Sequence, residues 1–597
     1  MIYCYLFEAK SIQSYLFESG KLKDVIAASE RLDRLIDSSD NSLLHQVLEA
    51  SNVKSDLLNP DISDSDSLIR FLRCKGGAFY CYSITDKPLL AFRSLWTLTI
   101  QQMFPAMEFT DALSKDEILS NALDKAHAQL AADRNTPSVK FPITTAPASR
   151  YQRTGRASVP MSYLAKQASM GNENNLDTGS LDLDTEQHRQ AYQSLEMRDS
   201  AALQNKFTPE HLFSKFSYPI DLENDFLFGK LNTDLTREQR EVIKDIALIH
   251  IDGNGLGILL MALKNALKNA SIDKYRQGFR TFSEALNQAT IIAARKATQF
   301  VYDQARYTKK DKRLMIPMRP IVLGGDDITL LCRADLALEY SQIFCREFKS
   351  ASEIELKPLF NLYLKKDDKK ESDKKNAEDN RRDSLKPYLT ASGGILYHKA
   401  GHPFTHSHHL VEDLCAAAKK LTKSVNANDK QVGPAALAFH RLSNAVYESF
   451  DEIVERSLTF SQEESSIQVG LATYFVDQTA STKSPFDFDK LNRLVELSNL
   501  PNAPIPLSRW RQMLTHISMG DFEETNRIYH RGLDLCNEGK LKEELDQLLD
   551  SLTPEGFCRE GWYWEDTSGQ KQTIINDLLI ASHFSAKSTI ATTTTEQ

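Results

Sequence analysis

The sequence predicts an α+β fold: two α/β units of one topology, a connecting region between them, and an α-helical C-terminal domain. Three observations carry this. Strand-like apolar runs and helical spacings follow one order, βααββαβ, in residues 1–135 and again in 241–431; each copy holds a Gly-Gly pair between two β-rich runs; and beyond Val432 apolar residues recur at helical intervals with no strand pair.

In the first unit, Met1 to Phe7 alternates like a short buried strand. Lys10 to Glu18 and Lys21 to Ile36 carry helical spacing through Leu22, Val25, Ile26, Leu32 and Leu35. Two β-rich runs within Leu68 to Ile84 flank Lys75-Gly76-Gly77, which is hairpin chemistry. A helix over Leu89 to Met103, an extended stretch at Met107 to Thr110 and a helix over Lys115 to Ala132 complete the unit.

Residues 136–240 are rich in Pro, Ser, Asn and Asp and read as a partly helical connecting region with a mobile loop at Gly171 to Thr185. The basic cluster Arg150 to Ala157 reads as a solvated loop, with phosphate contact as the alternative. In 241–431, Ile246 to Ile251 is a continuous apolar strand running into the turn Asp252-Gly-Asn-Gly-Leu-Gly257. Helices follow over Ile258 to Ala270 and Lys274 to Tyr307, then strand, turn and strand over Pro320 to Cys332. A helix over Leu336 to Lys349, a strand over Tyr388 to Tyr397 and a helix over Ser407 to Leu421 close the unit, with a charged, flexible insertion at 365–384. In 432–597 helices are expected at Ala435 to Ser449, Phe486 to Leu497, Ser508 to Met519, Asp521 to Asn537 and Lys540 to Leu552, before a disordered Thr-rich tail.

The chain has 597 residues, enough for several cores, and 72 Lys+Arg against 81 Asp+Glu, a net charge of −9. That balance excludes a surface devoted to gripping nucleic acid and leaves room for a local basic groove. No apolar run suffices to span a bilayer and the start lacks signal-peptide features, so no membrane partner and a cytoplasmic location are expected. Eight cysteines without any CxxC pair read as reduced, buried thiols with no zinc spacing.

The chemistry concentrates at Gly324-Gly325-Asp326-Asp327, a tight turn between two apolar runs. Alone, such a tetrapeptide also reads as a hairpin whose acids merely favour turns. Asp252 ends another apolar strand, and a ferredoxin-like strand order would make the two strands neighbours, so Asp252, Asp326 and Asp327 would converge on one edge. Three hard oxygen ligands suit Mg²⁺ or Mn²⁺, and a two-metal site suits nucleotidyl transfer. No GxGxxG register and no Walker lysine accompany Gly253, Asn254 and their neighbours, so a Rossmann or P-loop reading is weak.

These motifs, with Thr390-Ala-Ser-Gly-Gly-Ile-Leu-Tyr-His398 leading to Ala418-Lys419, resemble the nucleotide cyclase/polymerase palm, and more narrowly the large palm-domain subunit of type III CRISPR effectors. Ala9 to Leu16 and Leu22 to Glu30 are similar to that family's N-terminal palm motif. The resemblance implies two ferredoxin-like palm domains, the first degenerate, its hairpin being Gly76-Gly77-Ala78-Phe79. It further implies catalytic Asp326 and Asp327; metals on Asp252, Asp326 and Asp327; and nucleotide contacts from Gly253, Asn254, Gly324, Gly325, Lys419 and Ser29. ATP would be the substrate, and guide or target RNA and small effector subunits the partners.

Departures from the family are the absence of a His-Asp nuclease dipeptide at the start, from which no DNase activity is expected, of cysteines in the connecting region, and of the second acid of a DGD, where Asn254 stands. His398, His402, His406, His408 and His409 read as a polar loop near the site mouth. The function expected is synthesis of a cyclic oligoadenylate-type messenger. The alternatives are a non-catalytic scaffold subunit and a cyclic-dinucleotide synthase, against which stand the exposed paired acids and the absence of a GGDEF motif.

Overall fold

A computed structural model of the chain describes residues 1–36, 42–62, 68–136, 149–169, 179–194, 202–219, 245–304, 309–310, 313–364, 386–425, 432–442, 447–462, 465–476 and 484–585. The expected charged insertion at 365–384, the Thr-rich tail and most of the loop expected at 171–185 lie outside these residues.

The first sheet contains β1 (Ile2–Lys10), β2 (Lys54–Ser55), β3 (Leu68–Lys75), β4 (Ala78–Ser83) and β5 (Glu108–Asp116) in the order β2-β3-β4-β1-β5. β1 lies between β4 and β5 and is antiparallel to both, with Tyr5 opposite Cys81 on one side and Leu113 on the other. Its aromatic residues explain the position: Tyr5 and Phe7 pack against Phe79, Phe92 and Trp96 in a buried aromatic cluster. The structure adds a helix at Leu43–Ala50, opened by Ser42, whose hydroxyl accepts from the His45 amide at 3.1 Å. β5 also runs through Asp116, so the helix expected from Lys115 begins at Leu119.

The connecting region is more ordered than its composition suggests. β6 (Ser158–Pro160) and β7 (Ser180–Asp182) form a small ribbon, and the helix Leu183–Ser194 packs on the helix Leu22–Asp33. Its contact is polar and buried: Arg189 bridges Asp24 at 3.0 Å, with the two side chains 3% and 1% exposed. Tyr15 donates to Asp184 at 2.8 Å. Low hydrophobicity therefore misled the loop expectation at 179–185, because the buried charges are paired rather than solvated. In the basic cluster, Arg156 is tied to Glu18 at 2.7 Å.

The second large sheet is built on β9 (Asp245–Asn254). A short β8 (Phe216–Ser217) lies beside β11 (Arg313–Met315), which pairs with β10 (Lys309–Lys310) in a separate three-stranded sheet. β12 (Met318–Gly324), β13 (Asp327–Arg333) and β14 (Thr390–Lys399) join β9 in the order β12-β13-β9-β14, all antiparallel. This repeats the β3-β4-β1-β5 order of the first sheet. The helices Ile272–Gln304, Ala334–Glu355 and Phe404–Val425 pack around it, which is why β9 is buried from Asp245 to Ile251.

The sheet then continues past the expected boundary at 431. β15 (Ala436–Arg441) adds parallel to β14, and after β16 (Thr459–Gln462) and β17 (Ser465–Gln468), β18 (Thr473–Phe475) adds antiparallel to β15. The helix expected over Ala435 to Ser449 is thus corrected. Its apolar run is a buried strand, which periodicity alone cannot separate from a buried helix. The remaining C-terminal region is helical at Phe488–Asn499, Leu507–Ser518, Phe522–Leu535, Gly539–Leu552 and Ile575–Ser585. β19 (Phe557–Glu560), β20 (Tyr563–Asp566) and β21 (Lys571–Gln572) complete a five-stranded sheet with β16 and β17, so the expectation of no strand pair beyond Val432 is corrected too. All eight thiols are free and all but that of Cys558 are buried. Among the described residues no helix is long and apolar enough to cross a membrane.

Candidate active site

Antiparallel pairing of β13 with β9 sets Ile328 opposite Ile251. One step further along this register brings Asp327 to face Asp252, and the turn residue Asp326 follows beside Gly253. The approach is close: a Cβ built on Gly253 would stand 2.7 Å from Oδ2 of Asp326. The three expected carboxylates therefore do meet on one sheet edge. Gly324 pairs with Asp327 across a two-residue turn whose first residue, Gly325, has φ +73°. In the first sheet the equivalent turn has positive φ at both Gly76 and Gly77. The acidic hairpin thus has one left-handed residue and the glycine hairpin two, as in II′-like and I′-like turns respectively.

Crowding acids at the end of a buried sheet has an electrostatic consequence. Burial, followed by the Asp252 charge, pushes Asp326 up to about 6. Burial, then the charges of Asp326 and Asp252, pushes Asp327 up to about 8. Oδ1 of Asp327 is wholly shielded and has no hydrogen-bond partner. Opposing this negative field, Lys419 forms an ion pair with Oδ2 of Asp252.

Lys419 reaches that position because its helix lies directly on β14. A Cβ on Gly394 would sit 2.8 Å from both the Cys415 nitrogen and Leu414 Cβ, so only glycine permits this approach. Asn254 is turned inward instead: its amide donates to Ser392 at 2.8 Å and Thr390 at 3.2 Å, tying β9 to β14. Its side-chain amide is thus engaged within the sheet.

Between the two large sheets lies a cavity of about 490 Å³. Gly324, Gly325 and Asp327 line it from the second, and Ser29, Gly76 and Gly77 from the first. Asp252, Asp326 and Lys419 are not among its lining residues. Ser29 is buried and its hydroxyl donates to the Ile321 carbonyl on β12, joining the two units beside the acids. Ser11, also on the wall, holds a left-handed backbone at φ 47°, ψ 41°, a strained state of the kind that clusters at ligand sites.

Sequence reasoning missed two supports. Thr290, fully buried in the helix Ile272–Gln304, has its hydroxyl 2.7 Å from the Gly325 carbonyl and so fastens the acidic turn. Asn287, one helical turn earlier, lines the cavity. Both occupy ordinary helical positions and carry no motif; only the fold brings them to the turn. The histidine stretch is corrected in part: His406, His408 and His409 lie on the helix Phe404–Val425 and His398 lies on β14, while His402 stands in the turn between them. His408 packs on Phe17 with ring centroids 4.1 Å apart, an interior contact rather than a polar loop. Burial holds His250 and His398 down at about 4, hence neutral.

Among the described residues no three His, Cys, Asp or Glu side chains form a ready-made metal site. The donor set at the acidic edge nevertheless fits a hard divalent cation. It offers carboxylate oxygens only, one of them shielded and unpartnered, in a cluster whose pKa values burial first, and mutual repulsion second, push up.

No family model matches the sequence, and no curated protein matches it. Solved structures that match include a Csm1-Csm4 cassette in complex with cA4, at 10% identity and TM-score 0.35, covering 70% of this chain and 53% of that one. An apo Csm1-Csm4 cassette, at 11% identity and TM-score 0.42, covers 97% and 70%. Csm1 in T.onnurineus, at 10% identity and TM-score 0.41, covers 97% and 69%. The chain spans about half the length of the first of these.

Proposed function

We propose that this chain is a nucleotidyltransferase that uses ATP and divalent metal to make a cyclic oligoadenylate-type second messenger, in antiviral defence of the type III CRISPR kind. The observation that carries the reading is the meeting of Asp252, Asp326 and Asp327 on one sheet edge, Asp327 forming part of the wall of a cavity shared by two sheets of the same strand order. In this reading both sheets are ferredoxin-like palms, one within residues 1–135 and one beginning near 241; the chain works in the cytoplasm, and RNA and small effector subunits are its further partners.

The carboxylates would hold the cations. When bound, a pair of Mg²⁺ or Mn²⁺ ions lowers the pKa of an attacking 3′-hydroxyl and offsets charge on the α-phosphate. The protein supplies the rest. Gly324 and Gly325 have no side chain to obstruct a triphosphate, and Lys419 offers it a cation one helix away. Ser29 and the Gly76-Gly77 turn form the wall for a second nucleotide. The first hairpin, Gly76-Gly77-Ala78-Phe79, carries Gly77 and Ala78 at the positions that Asp326 and Asp327 fill in the second, so the first unit binds and the second reacts.

The test is product analysis by mass spectrometry after incubation with ATP or GTP, Mg²⁺ or Mn²⁺, and with or without RNA. Adenylate rings joined 3′–5′ are expected. A guanylate dinucleotide would favour the cyclic-dinucleotide alternative, and co-purifying RNA or small subunits without any product would favour the scaffold.

A further inference from the structure

A second cavity, of about 340 Å³, opens where β15 meets the C-terminal helices. Arg441 and Arg511 line it together with His440 and Asn576, and among the described residues no Asp or Glu does. Leu458 and Ile580 form an apolar side.

Two of the polar groups await a partner. Nδ1 of His440 and Nδ2 of Asn576 are buried with no hydrogen bond, and His440 is only 5% exposed. An unmet buried donor is costly, and an acceptor entering the cavity would relieve it. The charge balance points the same way. Arg441 pairs with Asp245 at 3.0 Å, a carboxylate that Lys399 also reaches. Arg511 has no ion pair among the described residues. The nearest acid along the chain from Asn576, Asp577, directs Oδ2 to the Leu471 and Ala472 amides and the Tyr474 hydroxyl, at 2.6, 2.9 and 2.5 Å.

This cavity is remote from the acidic edge. Asp245 and Asp252 mark opposite ends of β9, seven residues and so roughly 23 Å apart. We propose that it binds a phosphate dianion, held by Arg441, Arg511, the free amide of Asn576 and, in its Nδ1–H tautomer, His440, with any organic part of the ligand against Leu458 and Ile580. Guanidinium groups are the side chains best matched to phosphate. The site is separate from the ATP reading and stands whether or not that reading holds.

Calorimetric titration of the full chain with inorganic phosphate and with AMP tests it, on wild type, Arg511→Ala, Arg511→Lys and the distant surface variant Lys540→Ala. Saturable binding is expected, about 10- to 100-fold weaker in Arg511→Ala, partly restored in Arg511→Lys and unchanged in Lys540→Ala. AMP binding more tightly than phosphate assigns a phosphate monoester; equal affinities assign free phosphate. Absence of saturable binding, or binding indifferent to Arg511→Ala, overturns the proposal. Arg511 is exposed, so its removal leaves the fold intact, and a matching circular dichroism spectrum verifies this.

Discussion

Lys419 and Asp252 are 167 positions apart in sequence and form an ion pair at the edge of β9. The ammonium lies among three carboxylates that would otherwise repel one another, and it is the one cation hydrogen-bonded to any of the three among the described residues. The two side chains are 26% and 34% exposed, so the pair contributes little to stability. Its consequence is for the field at the site. Lys419→Ala should leave Tm nearly unchanged while lowering product formation on the order of 10²-fold. Equal losses of stability and activity would contradict that assignment.

Gly394 controls where that lysine stands. Gly394→Ala inserts a methyl against the Cys415 nitrogen and Leu414 Cβ, both 2.8 Å away. Overpacking of this kind costs about 1–3 kcal/mol, and it pushes the lysine-bearing helix off the sheet. Chemical denaturation should show this loss, with activity falling alongside. Gly401→Ala, with nothing within 4 Å of the added Cβ, should stay within about 0.5 kcal/mol of wild type.

Asp327 predicts an inverse pH dependence. Its pKa stands near 8 in the folded chain, against about 3.9 for an unperturbed aspartate, so between these values the folded state binds more protons. The stability tied to this carboxyl is fully present below about pH 4 and is lost as pH rises through 8. Asp327→Asn cannot ionise and escapes the loss. Its Tm should gain on wild type from pH 5 to pH 9 in the absence of divalent ions, by the equivalent of about 1 kcal/mol or more. A constant or shrinking gap would contradict the assignment.

Divalent cations should reverse that penalty. With Mn²⁺ or Mg²⁺ at about 100 times its Kd, the wild-type chain should gain on the order of 2.7 kcal/mol, more at pH 8 than at pH 6 because the carboxyls must be ionised to bind. Asp252→Asn and Asp326→Asn should lose most of the gain. Thermal shift and calorimetry measure this without reference to activity.

How far these residues were legible depended on whether the signal was local. β9, β12 and β13 declared themselves through continuous apolar runs ending in Asp252 and in the Gly-Gly-Asp-Asp turn, because a strand buried on both faces has little other composition open to it. β15 did not, since its apolar stretch suits a buried helix equally well. The connecting region was misjudged because pairs such as Arg189 with Asp24 make a polar segment bury itself. The bond from the Asn254 amide to Ser392, 138 positions away, was not legible in the sequence, since it depends on β9 lying beside β14. Thr290 was invisible for the same reason: its partner, the Gly325 carbonyl, is defined only by the folded turn.

The most direct measurement is the rate of nucleotide product formation from labelled ATP with Mn²⁺ or Mg²⁺, with and without RNA, for wild type and for the double variant Asp326→Ala/Asp327→Ala. A 3′–5′-linked adenylate product from wild type, absent from the variant while ATP still binds, is the result predicted. No product from wild type under any of these conditions, or the same product from both proteins, would contradict the account.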